Sequence, residues 1–246
     1  MSNDWSAIAL VSAYGLVTAL ATGLGAVPFA FLPRISPPTL ALANALASGL
    51  MLGASFGLIR EGTVYGTWQT LLGGGLGLAF IFFGERLLHD KEVRFGEFSG
   101  AGARQILLVL AIMTFHSFSE GVAVGVAFGG GQKLAALITI AIAVHNIPEG
   151  LAISAVMHPK GTTWGACAGW SVFSSLPQPL MAVPAFLCVE AFRPVLPYGL
   201  GFAAGAMVFM VFLELLPEAY KKAGKTAVGL MVSSALGAMI LFQRLL

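Results

Sequence analysis

The sequence predicts an all-α integral membrane protein with eight transmembrane helices, formed as a single polytopic domain over residues 1–246. The 246 residues are 57% hydrophobic and only 10% charged, whereas a soluble domain carries about a quarter charged residues. Eight apolar runs come close to the ~20 residues that a helix needs to cross a bilayer. The alternating ~10-residue strands of a membrane β-barrel are absent from the sequence. A chain with so few charges is expected to lie in lipid.

The eight predicted spans follow one another with short loops between them. They cover residues 7–31, 39–60, 66–84, 105–128, 134–157, 164–188, 197–216 and 226–245. The N-terminal residues lack the basic flank of a signal peptide, so the first span is expected to be retained. Cys167 and Cys188 both lie in apolar runs, so no disulfide framework is expected.

Lysine and arginine in the loops predict the orientation, because these residues are enriched on the cytoplasmic side of membrane proteins. With the N-terminus outside, the inner loops carry nine of them and the outer side carries four. The nine are Arg34, Arg86, Lys91, Arg94, Arg104, Lys160, Lys221, Lys222 and Lys225. The count predicts that both termini lie outside. The net charge of +2 is too small to suggest nucleic-acid binding.

Spans 2 and 7 resemble each other in sequence. The segments 47-ASGLMLGASFGLI-59 and 203-AAGAMVFMVFLEL-215 share Ala, Gly, Met and Phe at a constant offset of 156. Because these spans run in opposite directions in the predicted topology, the match indicates an inverted repeat with a 3+2+3 arrangement of helices. Transporters built from such repeats bind their substrate near the bilayer midplane, at the interface between the repeats.

Two features of the apolar runs predict where a helix is interrupted and where two helices approach closely. Span 6 contains Pro177, Pro179 and Pro184 around Gln178. Proline frees the carbonyl four residues back, which a membrane helix tolerates only where protein or water satisfies it, so we expect a polar cavity beside Gln178. Glycines also recur at helical spacing after Glu120 in span 4, which predicts close approach of a neighbouring helix.

Two related motifs, 116-HSFSEG-121 and 145-HNIPEG-150, place ionisable residues inside spans 4 and 5. Residues four apart lie on one face of a helix, so His116 pairs with Glu120 and His145 with Glu149. Both motifs lie ~15–18 Å into a core about 30 Å thick, where antiparallel neighbours would bring them together. Such groups are costly in lipid unless they are paired, protonated or bound to a metal. Nitrogen and oxygen ligands without thiolate suit zinc, iron, cobalt or manganese.

On these motifs the chain resembles the ZIP (Zrt/Irt-like) family of divalent metal transporters. The resemblance extends over 46-LASGLMLGASF-56, 175-SLPQPL-180 and 201-GFAAGAMVFMVFLELLPEA-219. It implies a homodimer in the lipid bilayer that moves metal toward the cytosol. It also implies that the primary metal ligands are His116, Glu120, His145 and Glu149. Around a second or transient metal position it places Met51, Ser117, Asn146 and Gln178.

The charge of the predicted site favours a single tightly held ion. The two glutamates contribute two negative charges, which one divalent cation neutralises. A second divalent ion would leave two surplus positive charges, because Ser117, Asn146 and Gln178 are uncharged. Burying that surplus costs several kcal/mol.

Three further residues are candidates for an exit path on the predicted cytoplasmic side. Glu214 and Glu218 end span 7, one helical turn apart, and His158 ends span 5. The alternative is that the glutamates form a solvated helix end whose charges are paired locally, and that His158 is a solvated loop residue.

The function that these observations predict is transport of a divalent transition metal by alternating access. The predicted substrate is Zn²⁺ or a similar divalent ion, namely Fe²⁺, Mn²⁺, Co²⁺ or Cd²⁺. The ion is expected to be transported and not to act as a cofactor. An intramembrane metal-dependent hydrolase is the alternative, since a metal site with an open position can activate water, although the sequence contains no H-E-x-x-H motif. A proton or ion channel with a His–Glu relay is a third possibility. The expected location is the cell (inner) membrane in a bacterium, or an organelle or plasma membrane in a eukaryote.

Overall fold

The computed structural model describes residues 4–89 and 101–245, a region that is helical and contains no β-strand. Lys91 and Arg94, which belong to the predicted charged loop, lie outside the described residues. Within the described ranges, eight segments are long and apolar enough to cross a membrane. They are Trp5–Ala30, Pro37–Tyr65, Thr67–Gly84, Val109–Gly129, Gln132–Lys160, Trp164–Ala191, Arg193–Lys222 and Lys225–Leu245. The predicted class and number of spans are confirmed, with boundaries displaced by a few residues.

Several of these spans are composed of more than one helical element. The α-helices are α1 (Asp4–Leu24), α2 (Pro37–Tyr65), α3 (Thr67–His89), α4 (Ala101–Gly129), α5 (Gln132–Met157), α6 (Trp164–Ser175), α7 (Pro177–Ala191), α8 (Leu196–Met210), α9 (Leu216–Lys222) and α10 (Lys225–Leu245). Short 3₁₀ turns cover Val27–Ala30, His158–Lys160 and Arg193–Val195. A π-helical segment, Val211–Leu215, joins α8 to α9.

Local sequence explains where several helices begin. Ser36 caps α2 by accepting a hydrogen bond from the Thr39 amide at 3.3 Å, with prolines in the first turn, where no amide donor is needed. Thr163 caps α6 in the same way, accepting from the Ala166 amide at 3.3 Å. Gly131 precedes α5 with φ at +116°, a backbone conformation that favours glycine. These signals fix short connections, and α5 contacts both α4 before it and α6 after it.

The sixth span is broken at one of its three prolines. α6 ends at Ser175 and α7 begins at Pro177, with Leu176 between them. Gln178 follows the break and is fully buried. Pro184, by contrast, lies inside a continuous α7, so the expectation of a repeatedly interrupted helix is wrong at that position. The single break places a buried amide in the interior of the bundle.

The seventh span departs from the continuous helix that the sequence predicts. Its middle is the π-helical segment, and Pro217 follows in the first turn of α9. Proline cannot donate the backbone hydrogen bond that an α-helix needs at that position, and a π turn is a common local adjustment in a helix, often found at functional sites. Glu214 lies within this segment.

The helices pack in a way that brings α4 and α5 to the interior. α2, α4, α5 and α8 contact one another, while α3 packs on α8, α10 on α2, α7 on α4 and α1 on α5. Gly121 and Gly125 of α4 lie against the backbone of α7, where a β-carbon would collide with Gln178 and with the Ala182 carbonyl oxygen. The predicted close approach beside Glu120 is therefore present, and it brings Gln178 onto the helix that carries the first motif.

The bundle has two ends, which we name after basic residues. The Lys160 face contains the last turns of α5 and α9 and the start of α2, whose residues line a common cavity. The Arg193 face contains the last turn of α4 and the end of α7, where Arg193 Nη1 donates to the Gly129 carbonyl oxygen at 2.6 Å. The predicted topology makes the Lys160 face cytoplasmic. That orientation and the inverted repeat stay predictions.

Candidate metal centre

The two His-x-x-x-Glu motifs meet in the interior of the bundle. α4 carries His116 and Glu120, α5 carries His145 and Glu149, and all four side chains are buried. His116 Nε2 lies 3.4 Å from Glu120 Oε1 on its own helix and 3.3 Å from Glu149 Oε1 across the helix pair. His145 Nε2 lies 2.6 Å from Glu120 Oε1. The predicted meeting of the two faces is therefore present.

Three of the four predicted ligands form the tightest group. His116, Glu120 and Glu149 each offer a ligand atom, and these atoms lie within 4.8 Å of one another. His145 joins the group through its contact with Glu120. Sequence spacing alone does not distinguish these two roles, because it fixes the face of each helix but not its rotation against the neighbour.

Unpartnered nitrogens mark the group as a site for a ligand. Among the described residues, Nδ1 of His116 and Nδ1 of His145 are buried without a hydrogen-bond partner, and His116 Nε2 has two carboxylate oxygens 3.3 and 3.4 Å away without hydrogen-bond geometry. A buried polar atom left without a partner costs about 1–3 kcal/mol. A cation between His116, Glu120 and Glu149 would take up His116 Nε2 and neutralise the two carboxylates.

An amide chain holds the second oxygen of Glu120. Gln178 Nε2 donates to Glu120 Oε2 at 2.5 Å, and Gln178 Oε1 accepts from Asn146 Nδ2 at 3.2 Å. Asn146 Nδ2 also donates to the Thr18 carbonyl oxygen on α1, at 2.9 Å. Helices α1, α5 and α7 thus cooperate to orient one carboxylate of α4. Sequence analysis grouped Gln178 and Asn146 but did not predict that they would donate hydrogen bonds along this chain.

The other two residues of the predicted second metal position, Ser117 and Met51, are buried outside this hydrogen-bond chain. Ser117 is buried on α4 beside His116, and Met51 is buried on α2 as part of the main apolar core. Neither is among the side-chain hydrogen bonds that hold Glu120. Of this uncharged set, Gln178 is the residue whose side chain donates a hydrogen bond to Glu120.

Comparison with known proteins identifies the family. Residues 84–242, well over half of the chain, match the family described as ZIP Zinc transporter. The chain is also 32% identical over 238 residues to the zinc transporter ZIPB of Bordetella bronchiseptica, a match covering 88% of this chain and 75% of that protein. The chain belongs to the ZIP zinc transporter family. It is accordingly a multi-pass integral membrane protein, as its eight apolar helices indicate.

Other ZIP relatives share different portions of the sequence. A putative zinc transporter of Arabidopsis thaliana is 46% identical over 225 residues, which cover 90% of this chain and 36% of that protein. Human zinc transporter ZIP11 is 39% identical over 128 residues, which cover 49% of this chain and 37% of that protein. The chain thus spans little more than a third of the length of these two relatives. All of these proteins carry the name of zinc transporters, and none supports the hydrolase alternative.

A cavity of about 410 Å³ leads from the Lys160 face toward the His/Glu group of this ZIP chain. Glu214 and Glu218 line this cavity, together with Met113 and Ala152. Met113 lies three residues before His116, and Ala152 three residues after Glu149. The cavity therefore reaches to within one helical turn of the ligands.

The three candidate exit residues have different surroundings. Glu218 pairs with Lys221 at 3.8 Å and contacts Lys222, as the alternative of a locally paired helix end predicted. His158 does not line the cavity: its ring packs on Phe29, with centroids 5.2 Å apart, and Nδ1 donates to the Thr162 carbonyl oxygen at 2.8 Å. His158 is half-buried and not the solvated loop residue that the sequence also allowed. Glu214 lines the cavity and belongs to the π-helical segment.

Asn44 is a cavity residue that sequence analysis missed. It lies on α2, two turns from the start of the helix, and lines the cavity opposite the glutamates. A polar residue within an otherwise apolar span was the available signal, but nothing in its spacing relates it to span 7.

Proposed function

We propose that this ZIP-family protein transports divalent transition-metal ions, zinc foremost, toward the cytosol by alternating access through the His/Glu group between α4 and α5. The observation that carries the proposal is the contact between two spans, where His116 Nε2 lies 3.3 Å from Glu149 Oε1 with Glu120 beside them. Two ligands ~2.0–2.2 Å from one zinc ion lie roughly 3.3–3.6 Å apart in tetrahedral geometry. The separation of His116 Nε2 from Glu149 Oε1 therefore matches that of two ligands on one zinc ion.

The two ends of the bundle support alternating access. On the Lys160 face the cavity comes within one turn of the ligands. On the Arg193 face, a separate cavity of about 400 Å³ ends at Phe128 and Phe186. Phe128 packs on Tyr14 with ring centroids 5.0 Å apart, and it lies eight residues, roughly 12 Å, beyond Glu120. The cavity at the Lys160 face thus comes closer to the ligands than the cavity at the Arg193 face does, and transport requires the opposite arrangement as well.

The site is proposed to hold one metal ion tightly. Two carboxylates and one divalent cation sum to zero charge, which a low-dielectric interior favours. The Gln178 amide donates to Glu120 Oε2, so an N–H group lies where a second cation would need a ligand. A second ion would bring two uncompensated positive charges into the interior, at a cost of several kcal/mol.

Release is proposed to proceed past Glu214 toward the Lys160 face. Its carboxylate lines the cavity one helical turn before Glu218, which provides oxygen ligands for an ion leaving the midplane. Zn²⁺, Fe²⁺, Mn²⁺, Co²⁺ and Cd²⁺ all accept the nitrogen and oxygen ligands of this site. The homodimer that the family resemblance implies is likewise part of the proposal.

Metal uptake into proteoliposomes tests the transport proposal. The purified full chain should accumulate ⁶⁵Zn²⁺ inside vesicles, and competition with Fe²⁺, Mn²⁺ and Cd²⁺ should rank the substrates. Glu149→Ala should reduce uptake to the level of empty vesicles, because it removes a ligand and leaves its partners buried without compensation. Glu61→Ala, on α2 and outside the described cavities, is the matched control. Normal uptake by the Glu149 variant would exclude the site, and hydrolysis without metal flux would favour an enzyme.

A further inference from the structure

We propose that Cys167, His158 and the carbonyl oxygen of Thr162 form a second metal-binding site at the Lys160 face, selective for thiophilic divalent ions such as zinc and cadmium. The binding site is independent of the midplane group. Its role, taking up metal that leaves the midplane, rests on the proposed transport function.

Two potential ligands converge on one backbone oxygen. His158 begins the 3₁₀ turn that follows α5, and Cys167 lies in the first turn of α6. His158 Nδ1 donates to the Thr162 carbonyl oxygen at 2.8 Å, and Cys167 Sγ donates to the same oxygen at 3.9 Å. An imidazole nitrogen and a thiol sulfur therefore contact the same carbonyl oxygen.

These separations are close to those around a zinc ion. With Zn–S at ~2.3 Å and Zn–N and Zn–O at ~2.0–2.2 Å, tetrahedral geometry places sulfur ~3.6 Å and nitrogen ~3.4 Å from the oxygen. The observed distances, 3.9 Å and 2.8 Å, differ from these values by roughly 0.3 and 0.6 Å. Small side-chain rotations would open the nitrogen–oxygen distance and admit the ion.

Metal would replace the two hydrogen atoms now donated to the carbonyl. The Cys167 thiol loses its proton to solvent as the metal–sulfur bond forms, because only the thiolate binds strongly. The His158 proton moves from Nδ1 to Nε2, so the imidazole binds as the neutral ring. One proton is therefore released for each divalent ion bound.

The surroundings shield one side of this site and leave another open. Cys167 is fully buried and belongs to an apolar cluster with Ala26, Ile153 and Met157. A buried cysteine commonly packs as a small apolar side chain. That role does not explain why the His158 imidazole contacts the same carbonyl oxygen. His158 is only half-buried, and Phe29 packs against its ring. Entry is therefore from the His158 side.

The site lies beside the proposed exit path. Pro159 and Lys160, the residues directly after His158, line the cavity that leads from the midplane. His158 follows Glu149 by nine residues, about 13 Å along the helix. The midplane group contains no sulfur ligand. A thiolate ligand at the exit would therefore add a preference for binding zinc and cadmium over manganese.

Cadmium absorbance tests this site directly, because a cadmium–thiolate bond produces an ultraviolet charge-transfer band that carboxylate and imidazole ligands do not. We expect the purified full chain to develop this band and to saturate it by two equivalents, because the proposed midplane group binds the other cadmium ion. Cys167→Ala should abolish the band, and His158→Gln should weaken cadmium binding at the site by about tenfold or more. Cys188→Ala is the matched control, because Cys188 is exposed on α7, and this variant should retain the full band.

The outcomes separate this site from the midplane group. Glu149→Ala should lose uptake and keep the cadmium band, so failure of the transport proposal leaves the second site testable. Cys167→Ser removes the thiol but nearly preserves the volume of the side chain, so loss of the band in this variant is not explained by misfolding. A band that persists in both Cys167 variants, or that disappears in Cys188→Ala, would overturn the proposal.

Discussion

Adding negative charge beside Glu120 should create a second ion position at the midplane. Gln178 Nε2 lies 2.5 Å from Glu120 Oε2, so Gln178→Glu brings two carboxylate oxygens into contact. At that separation, with an effective dielectric constant of about 20, two unit charges repel by about 7 kcal/mol. Such a pair is relieved by a shared proton or by a cation between the oxygens. Asn146→Asp, one hydrogen bond further along the chain, adds a fourth carboxylate, and two divalent ions then neutralise the site.

Anomalous scattering at the zinc edge would count the ions and locate them. The unmodified protein should show one midplane ion, and the Asn146→Asp/Gln178→Glu double variant should show two. Gln178→Leu, which removes the amide without adding charge, is the matched control and should show one. A Cys167→Ala background keeps the proposed exit site out of the count. Two equivalent ions in the unmodified midplane site, or one in the double variant, would refute the charge argument.

Three further perturbations follow from the structure. Glu214→Gln should slow zinc uptake in proteoliposomes relative to Glu61→Gln, because it removes a carboxylate from the cavity wall; equal rates and affinities would leave Glu214 as a helix-end residue. Gly125→Ala should destabilise the protein by about 1–3 kcal/mol in thermal unfolding, because the new β-carbon would collide with the Ala182 carbonyl oxygen. Gly75→Ala is the control: a β-carbon at Gly75 would have no packing neighbour within 4 Å, so this variant should unfold as the wild type does. Zinc affinity measured by calorimetry should fall as the pH is lowered, since protons compete for the carboxylates and imidazoles; affinity independent of pH would contradict direct ligation.

The number and type of spans could be predicted because they depend on apolar length, which the sequence shows directly. The prolines of span 6 indicated an interruption of the helix and a polar cavity beside Gln178; the structure shows the break before Pro177 and a fully buried Gln178. The π-helical segment could not be predicted in the same way. Pro217 was visible, but Pro184 is tolerated inside α7, so proline alone does not determine whether a helix breaks, bulges or continues.

The composition of the midplane group could also be predicted, since each motif fixes the face of its own helix. The pairing between motifs could not. His145 contacts Glu120 while His116 bridges to Glu149, an arrangement set by the rotation of α4 against α5. The convergence of His158 and Cys167 on Thr162 was equally hidden, because the connection between spans 5 and 6 determines it. Sequence analysis considered the two residues separately.

The π-helical segment has a consequence for the length of the seventh span. A π turn holds one residue more than an α turn, so Val211–Leu215 acts as a one-residue insertion in the helical phase. Deleting a single residue there would allow an unbroken α-helix with every later side chain in its present direction, whereas an α-helix over the same number of residues would rotate each of them by about 100°. In that second case Glu218 and Lys222 would turn together away from the cavity while keeping their ion pair within α9. The electrostatic lining of that cavity is therefore encoded in the residue count of one helix as much as in residue identity.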